Sequence, residues 1–103
     1  MSQEQVLDID PMIHAPIRLA TLSILVTVQM ANFTFIKESV NTTDGNLSTH
    51  LTKLEQAGYI KIEKTFKGKK PQTICSITDL GRDAFKKYID NLEKIIKKQK
   101  GIS

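Results

Sequence analysis

The sequence predicts a mainly α domain with one small β-hairpin, an α+β chain in the order α-β-α-α-β-β-α. Three observations carry that prediction. Leu47, Leu51 and Leu54 recur at i, i+4 and i+7, so they share one side of a short helix. Ile60 and Ile62 alternate with Lys61 and Glu63, and Ile74 and Ser76 with Thr73, Cys75 and Ile77. The turn chemistry of Lys67-Gly68-Lys69-Lys70-Pro71 lies between these two period-two runs. From Asp79 onward, Ala84, Phe85, Tyr88, Ile89, Leu92, Ile95 and Ile96 make one continuous apolar stripe of roughly a/d spacing.

Ser2 to Asp10 is polar and acidic with scattered Val6, Leu7 and Ile9, which reads as a loose turn or an arm docked on the core. Pro16 suits the first turn of a helix, where its missing N–H costs nothing. From Ile17 to Val28 apolar residues cover more than one stripe, so this helix is buried on more than one side. In a small chain, a second copy is a natural source of that extra cover. Ala31 to Thr34 breaks the helix, with Phe33 as a brief strand. Thr34 then caps a short helix from Phe35 to Val40, and Asn41-Thr42-Thr43 turns into the leucine-faced helix.

Thr43 or Asp44 caps that helix, and Gly58 ends it in the left-handed conformation that costs glycine no Cβ clash. Two short helices joined by a few polar residues make a helix-turn-helix pattern. The hairpin follows, with a basic tip. Thr78 caps the last helix, and Asp79 and Asp83 favour the positive end of its dipole. That helix runs from about Asp79 to Lys98, and its final turns overhang the core, where an apolar stripe needs a partner.

The 103 residues form one domain, with 1–10 as an N-terminal arm and 79–100 as a dimerisation segment. The net charge of +4 leans toward an anionic partner. Most lysines lie from Lys53 onward, whereas residues 1–10 are acidic. With Cys75 as the one cysteine, no intrachain disulfide forms, as suits a reducing compartment. The apolar run Leu22 to Met30 is broken by polar residues and too short for a bilayer, and no signal peptide is evident. The expectation is a soluble, cytoplasmic protein with no membrane role.

The face opposite the three leucines holds Asn46, Thr49, Lys53 and Gln56, short polar groups with one cation. A helix pinned by leucines and polar on its outer side has the layout of a DNA recognition helix. Asn bonds adenine at N6 and N7, Thr donates, accepts or places its methyl against thymine, and Lys reaches guanine or phosphate. Gly45 allows close backbone approach, and N–H groups at the helix start bind phosphate. At the hairpin tip, Lys64, Lys67, Lys69 and Lys70 reach phosphates or an adjacent minor groove. The competing readings are an ordinary solvated face and a charged turn that serves solubility. His50 is expected half-buried and hydrogen-bonded, with a phosphate contact as the alternative, and His14 lies near a helix start. Cys75 reads as a small packing residue rather than a redox-sensing thiol, since no second cysteine can resolve it. No metal-ligand spacing, phosphate-binding glycine loop or catalytic set appears, so no cofactor and no enzyme activity are expected.

Three stretches together give a resemblance: His14-Ala15-Pro16-Ile17-Arg18, Thr43 to Leu51 with Leu54 to Ile60, and Ile77-Thr78-Asp79-Leu80-Gly81-Arg82. On these the chain resembles the winged-helix transcriptional regulators of the small MarR-like and ArsR-like kind, from about Ile9 to Leu92. The resemblance implies that these stretches open the first helix, form the recognition helix leading into the wing, and start the helix after the wing. Thr49 stands where many relatives carry arginine, and full-length MarR proteins have additional dimerisation helices. The implied function is a sequence-specific regulator that binds double-stranded DNA as a homodimer through its first and last helices. The recognition-helix candidates are Thr43, Gly45, Asn46, Ser48, Thr49, His50 and Lys53, and the wing candidates Lys64, Lys67, Lys69 and Lys70. The dimer candidates are Ile17, Leu22, Phe85, Tyr88, Ile89, Leu92, Ile95 and Ile96. The alternatives are a winged-helix protein-interaction module and an effector-binding regulator with a small-molecule pocket between first and last helices.

Overall fold

The structure is a computed structural model and describes residues 8–102, so residues 1–7 of the expected arm lie outside the described residues. Helix α1 (Pro16–Val28) starts at the proline and buries Thr21, Leu22 and Leu25. It packs against both following helices, the sheet and the last helix. That position explains apolar residues on several sides: much of the extra cover comes from the chain itself. Its end is sharp. Gln29 adopts φ 71°, and its carbonyl accepts from the Ile77 amide at 3.1 Å.

Strand β1 is Met30–Asn32, so the brief strand precedes Phe33 instead of containing it. Helix α2 (Phe33–Val40) begins at Phe33 because Asn32 caps it, its side chain accepting from the Phe35 amide at 2.8 Å. Thr34 therefore lies inside the helix and is not its cap. Asn41 ends α2 in the left-handed region at φ 55°, a conformation that asparagine tolerates.

Helix α3 (Asp44–Gln56) has Thr43 as its cap, with Oγ1 accepting from the Asn46 amide at 3.2 Å. Its far end is a Schellman motif. Gly58 N–H donates to the Glu55 carbonyl and Tyr59 N–H to the Leu54 carbonyl, with Gly58 at φ 82°. Strands β2 (Ile60–Lys67) and β3 (Lys70–Ile77) pair antiparallel, Ile60 facing Ile77 and Lys67 facing Lys70. The turn is narrower than its charge pattern suggests. Only Gly68 and Lys69 lie outside the ladder, and Gly68 takes φ 65°. Strand β1 adds to the other edge of β3, giving the order β1-β3-β2.

Helix α4 (Asp79–Ile102) extends past the expected end near Lys98. Thr78 caps it, accepting from the Gly81 amide at 2.9 Å and donating to the Gly58 carbonyl at 2.6 Å. One hydroxyl thus ties the end of α3 to the start of α4. Gly81 permits the join, since a Cβ there would sit 2.1 Å from the Tyr59 carbonyl oxygen.

The core collects Leu22 and Leu25 of α1, Ile36 of α2, Leu47, Leu51 and Leu54 of α3, Ile60 and Cys75 of the sheet and Tyr88 of α4, with Ile13 ahead of α1. Twenty-four residues of α4 span about 36 Å. The longest dimension of the protein is 58 Å against 25 and 21 Å across it, so the end of α4 projects from the globular part.

Candidate nucleic-acid interface

Helix α3 is anchored by one face and offers the other. Leu47, Leu51 and Leu54 are at most 2% exposed. Gly45, Asn46, Ser48, Thr49, Thr52, Lys53 and Gln56 are all exposed on the opposite side. Thr52 belongs to this face as well, beside the candidates named from the sequence. The outer side chains are partly oriented before any partner arrives. Asn46 Nδ2 donates to Thr42 Oγ1 at 2.8 Å, which leaves its Oδ1 and second amide hydrogen free to form a bidentate pair. Thr49 Oγ1 donates to the Gly45 carbonyl at 3.0 Å, so its remaining outward capacity is as acceptor and methyl. Thr43 is committed to its cap. Around Gly45 an added Cβ would meet nothing within 4 Å, so the chain's own packing does not demand glycine there.

His50 lies half-buried on the flank of α3, as expected, and its partner is Arg18 of α1 at 3.0 Å. Arg18 also donates through Nε to the Met12 carbonyl at 2.6 Å. Since guanidinium only donates, His50 Nδ1 is the acceptor and its proton sits on Nε2, which points away from this bond. Desolvation first, then the positive charges of Arg18 and Lys53, push the imidazole below its ordinary pKa.

Wing and helix border a common cleft of about 510 Å³, with Ser48, Leu51, Thr52 and Glu55 on one wall and Ile62, Lys64 and Thr73 on the other. Lys64, Lys67, Lys69 and Lys70 are exposed along the wing. Across the turn between α2 and α3, Lys37 Nζ meets Asp44 Oδ1 at 2.9 Å, an exposed ion pair that adds little to stability. Cys75 is fully buried, and burial first, then the Glu55 charge, push its thiol up to about 11. It is a packing residue, with negligible thiolate at neutral pH.

A groove of about 500 Å³ lies between the segment Asp8–Pro11 and α4, and its lining includes no residue of α1, so it is not the pocket between first and last helices that the effector alternative calls for. It is open, and its Asp10 and Tyr59 polar groups bond each other at 2.5 Å. Among the dimer candidates, Leu22 and Tyr88 are at most 2% exposed, so they belong to the protomer's own core and offer no surface to a partner. Ile17, Phe85 and Leu92 are half-buried against that core, Ile95 is half-buried, and Ile89 and Ile96 are exposed on α4. The Asp10–Tyr59 and Arg18–His50 links carry no local sequence signal, because each joins residues far apart in the chain. Among the described residues no group of three or more acidic, histidine or cysteine side chains could hold a metal. No helix among them is long and apolar enough to cross a membrane.

Helix-turn-helix, three-stranded sheet and basic hairpin together define a winged helix. A family model described as "Winged helix DNA-binding domain" matches residues 17–96, and the chain belongs to that family. It is a DNA-binding domain of the kind found in transcriptional regulators, a family and fold that are not enzymes. The uncharacterized protein MJ0432 of Methanocaldococcus jannaschii is 37% identical over 84 residues, covering 82% of this chain and 91% of that one. A transcriptional regulator homologue from Pyrococcus horikoshii OT3 superposes with a TM-score of 0.88 at 28% identity, covering 93% of this chain and 97% of that chain. A MarR-family regulator from Silicibacter pomeroyi shares the fold at a TM-score of 0.67 and 13% identity, over 89% of this chain and 61% of its own.

Proposed function

We propose that this chain is a homodimeric transcriptional regulator that reads duplex DNA with α3 in the major groove and steadies it with the wing. The observation that supports this most is the two-sidedness of α3. Three leucines fix its inner face, and Gly45, Asn46, Ser48, Thr49, Thr52, Lys53 and Gln56 on the opposite side are small, polar or cationic and exposed, with the acidic Asp44 and Glu55 on its flank. Asn46, Thr49 and Lys53 supply base-edge groups, with Gly45 and Ser48 allowing close approach, and Lys64, Lys67, Lys69 and Lys70 hold phosphates. His50 keeps Nε2–H available for a phosphate oxygen while Arg18 occupies Nδ1. The exposed lysines beside this face favour DNA over a protein partner.

The dimer is supported by α4. Ile89 and Ile96 are exposed, Leu92 and Ile95 half-buried, on a helix that outruns its own core. In the proposed dimer the two α3 helices address half-sites about one turn (~34 Å) apart.

Selection of bound sequences from a random duplex pool tests the reading, with sedimentation giving the mass of the free and bound species. Substituting Asn46 or Thr49 with alanine relaxes preference at one base pair per half-site, by about 1–3 kcal/mol. Substituting Lys69 and Lys70 together with alanine weakens all duplexes alike and flattens the slope of log K against log salt by about 2. A monomer in solution removes the seam, and wild-type salt dependence in the double variant removes the wing contact.

A further inference from the structure

We propose that Phe66, with Pro71 opposite it, forms an apolar wedge that the wing inserts into the minor groove of bound duplex DNA. The inference rests on the DNA-binding reading above and deepens it, by giving the wing a contact that its lysines cannot make.

Phe66 is 69% exposed, the most exposed large apolar side chain among the described residues. It faces Pro71 across the ladder, so the two side chains lie together on one face of the hairpin. That face can be followed along the strands. Ile60 and Ile62 on β2 share it, as do Cys75 and Thr73 on β3, since alternate residues point the same way. Near the base of the hairpin it packs into the core through Ile60 and Cys75. Further out, Lys64 and Thr73 line the cleft against Ser48, Thr52 and Glu55 of α3. Phe66 and Pro71 come next, beyond the reach of the core but still on the α3 side of the sheet.

An aromatic ring at that place lies mostly in solvent, outside the protomer's core, and is the wrong residue for a soluble tip. Its surroundings are Lys64, Lys67, Lys69 and Lys70, all exposed. An apolar centre with a cationic rim matches a groove whose walls are phosphates and whose floor is sugar edges and stacked bases. Phe and Pro are among the residues that enter minor grooves and part a base step, widening the groove and bending the duplex. Sequence preference then arises at a step the protein never hydrogen-bonds, because pyrimidine–purine steps open most readily.

The test uses the full chain and a duplex recovered by selection, with 2-aminopurine placed in turn at the steps flanking each half-site. Because Phe66 is exposed, Phe66→Ala keeps the wild-type melting temperature. The expected result is an emission rise on wild-type binding at one flanking step, lost in Phe66→Ala. That variant also binds roughly tenfold more weakly while its salt slope stays unchanged. Phe66→Leu, another wedge-forming residue, keeps part of both signals. The Lys69/Lys70 double alanine variant shows the opposite split, a flatter salt slope with the emission rise retained at saturation. Wild-type affinity and emission in Phe66→Ala overturn the wedge and leave the DNA reading intact. Failure of the wild-type chain to bind any duplex at low salt overturns both. Unchanged duplex binding with lost binding to phosphatidylglycerol vesicles in Phe66→Ala overturns the wedge and assigns the ring to a lipid surface.

Discussion

The guanidinium of Arg18 donates to Nδ1 of His50 across 3.0 Å, fastening the start of α1 to the flank of α3. The bond exists only while the imidazole is neutral, because protonation turns its acceptor into a second donor. Arg18 and Lys53 add positive charge around it.

Stability should therefore respond to acid at this position. The pKa of His50 is lowered from its ordinary 6.5 in the folded chain, so the unfolded chain binds the proton more readily. The contribution is fully present above about 6.5 and is lost as pH falls through the folded value. His50→Gln keeps an acceptor but does not titrate. Thermal melts across this range are expected to show a larger loss for the wild type than for His50→Gln. Equal losses would falsify the link.

Gly45 separates stability from binding. An alanine methyl there meets open space, and alanine is favoured over glycine within a helix by about 1 kcal/mol. Gly45→Ala is expected to raise the midpoint of chemical denaturation and yet weaken DNA binding, since in the proposed docking the methyl would stand between α3 and the duplex. Stabilisation without any change in affinity would mean that the start of α3 stays clear of the DNA.

Gly81 gives the reverse outcome. Its added Cβ would lie 2.1 Å from the Tyr59 carbonyl oxygen, which is backbone and cannot step aside. Gly81→Ala should destabilise by about 1–3 kcal/mol or more, as α4 is pushed off the end of α3. Urea titration measures it, and loss of the Thr78 cap should appear as faster amide exchange in the first turn of α4.

Tyr59 reports on the docking of the segment before α1. Its hydroxyl donates to Asp10 Oδ2 at 2.5 Å. Burial first, then the bond and charge of Asp10, push the phenol from 10.0 up to about 12. A raised folded pKa leaves this contribution complete below about pH 10 and removes it as pH rises through about 12. Tyr59→Phe should cost about 1.5–3 kcal/mol, the value of a hydrogen bond to a charged group. Absorbance titration of tyrosinate in the native protein should lose its late component in that variant.

Much of α3 and the wing could be read locally. The i, i+4, i+7 leucines, the Thr43 cap and Gly58 at the Schellman position lie within one short stretch and are set by steric and hydrogen-bonding rules of that stretch. The hairpin was legible for the same reason, down to Gly68 at its tip. Strand β1 was not. Three residues carry almost no periodicity, and Met30–Asn32 are a strand only because β3 offers its edge. The cap shift from Thr34 to Asn32 follows from that pairing.

By itself the sequence determined the element order and which side of α3 faces out, because both follow from periodicity and capping over a few residues. Tertiary structure alone decided which apolar residues remain for a partner. Tyr88 belongs to the same stripe as Ile89 and Ile96, but it closes the protomer's core, as Leu22 of α1 does, while the others stay open to solvent. Spacing along a helix records that a side chain is apolar. Which neighbour covers it depends on long-range packing that brings α1, the sheet and α4 together.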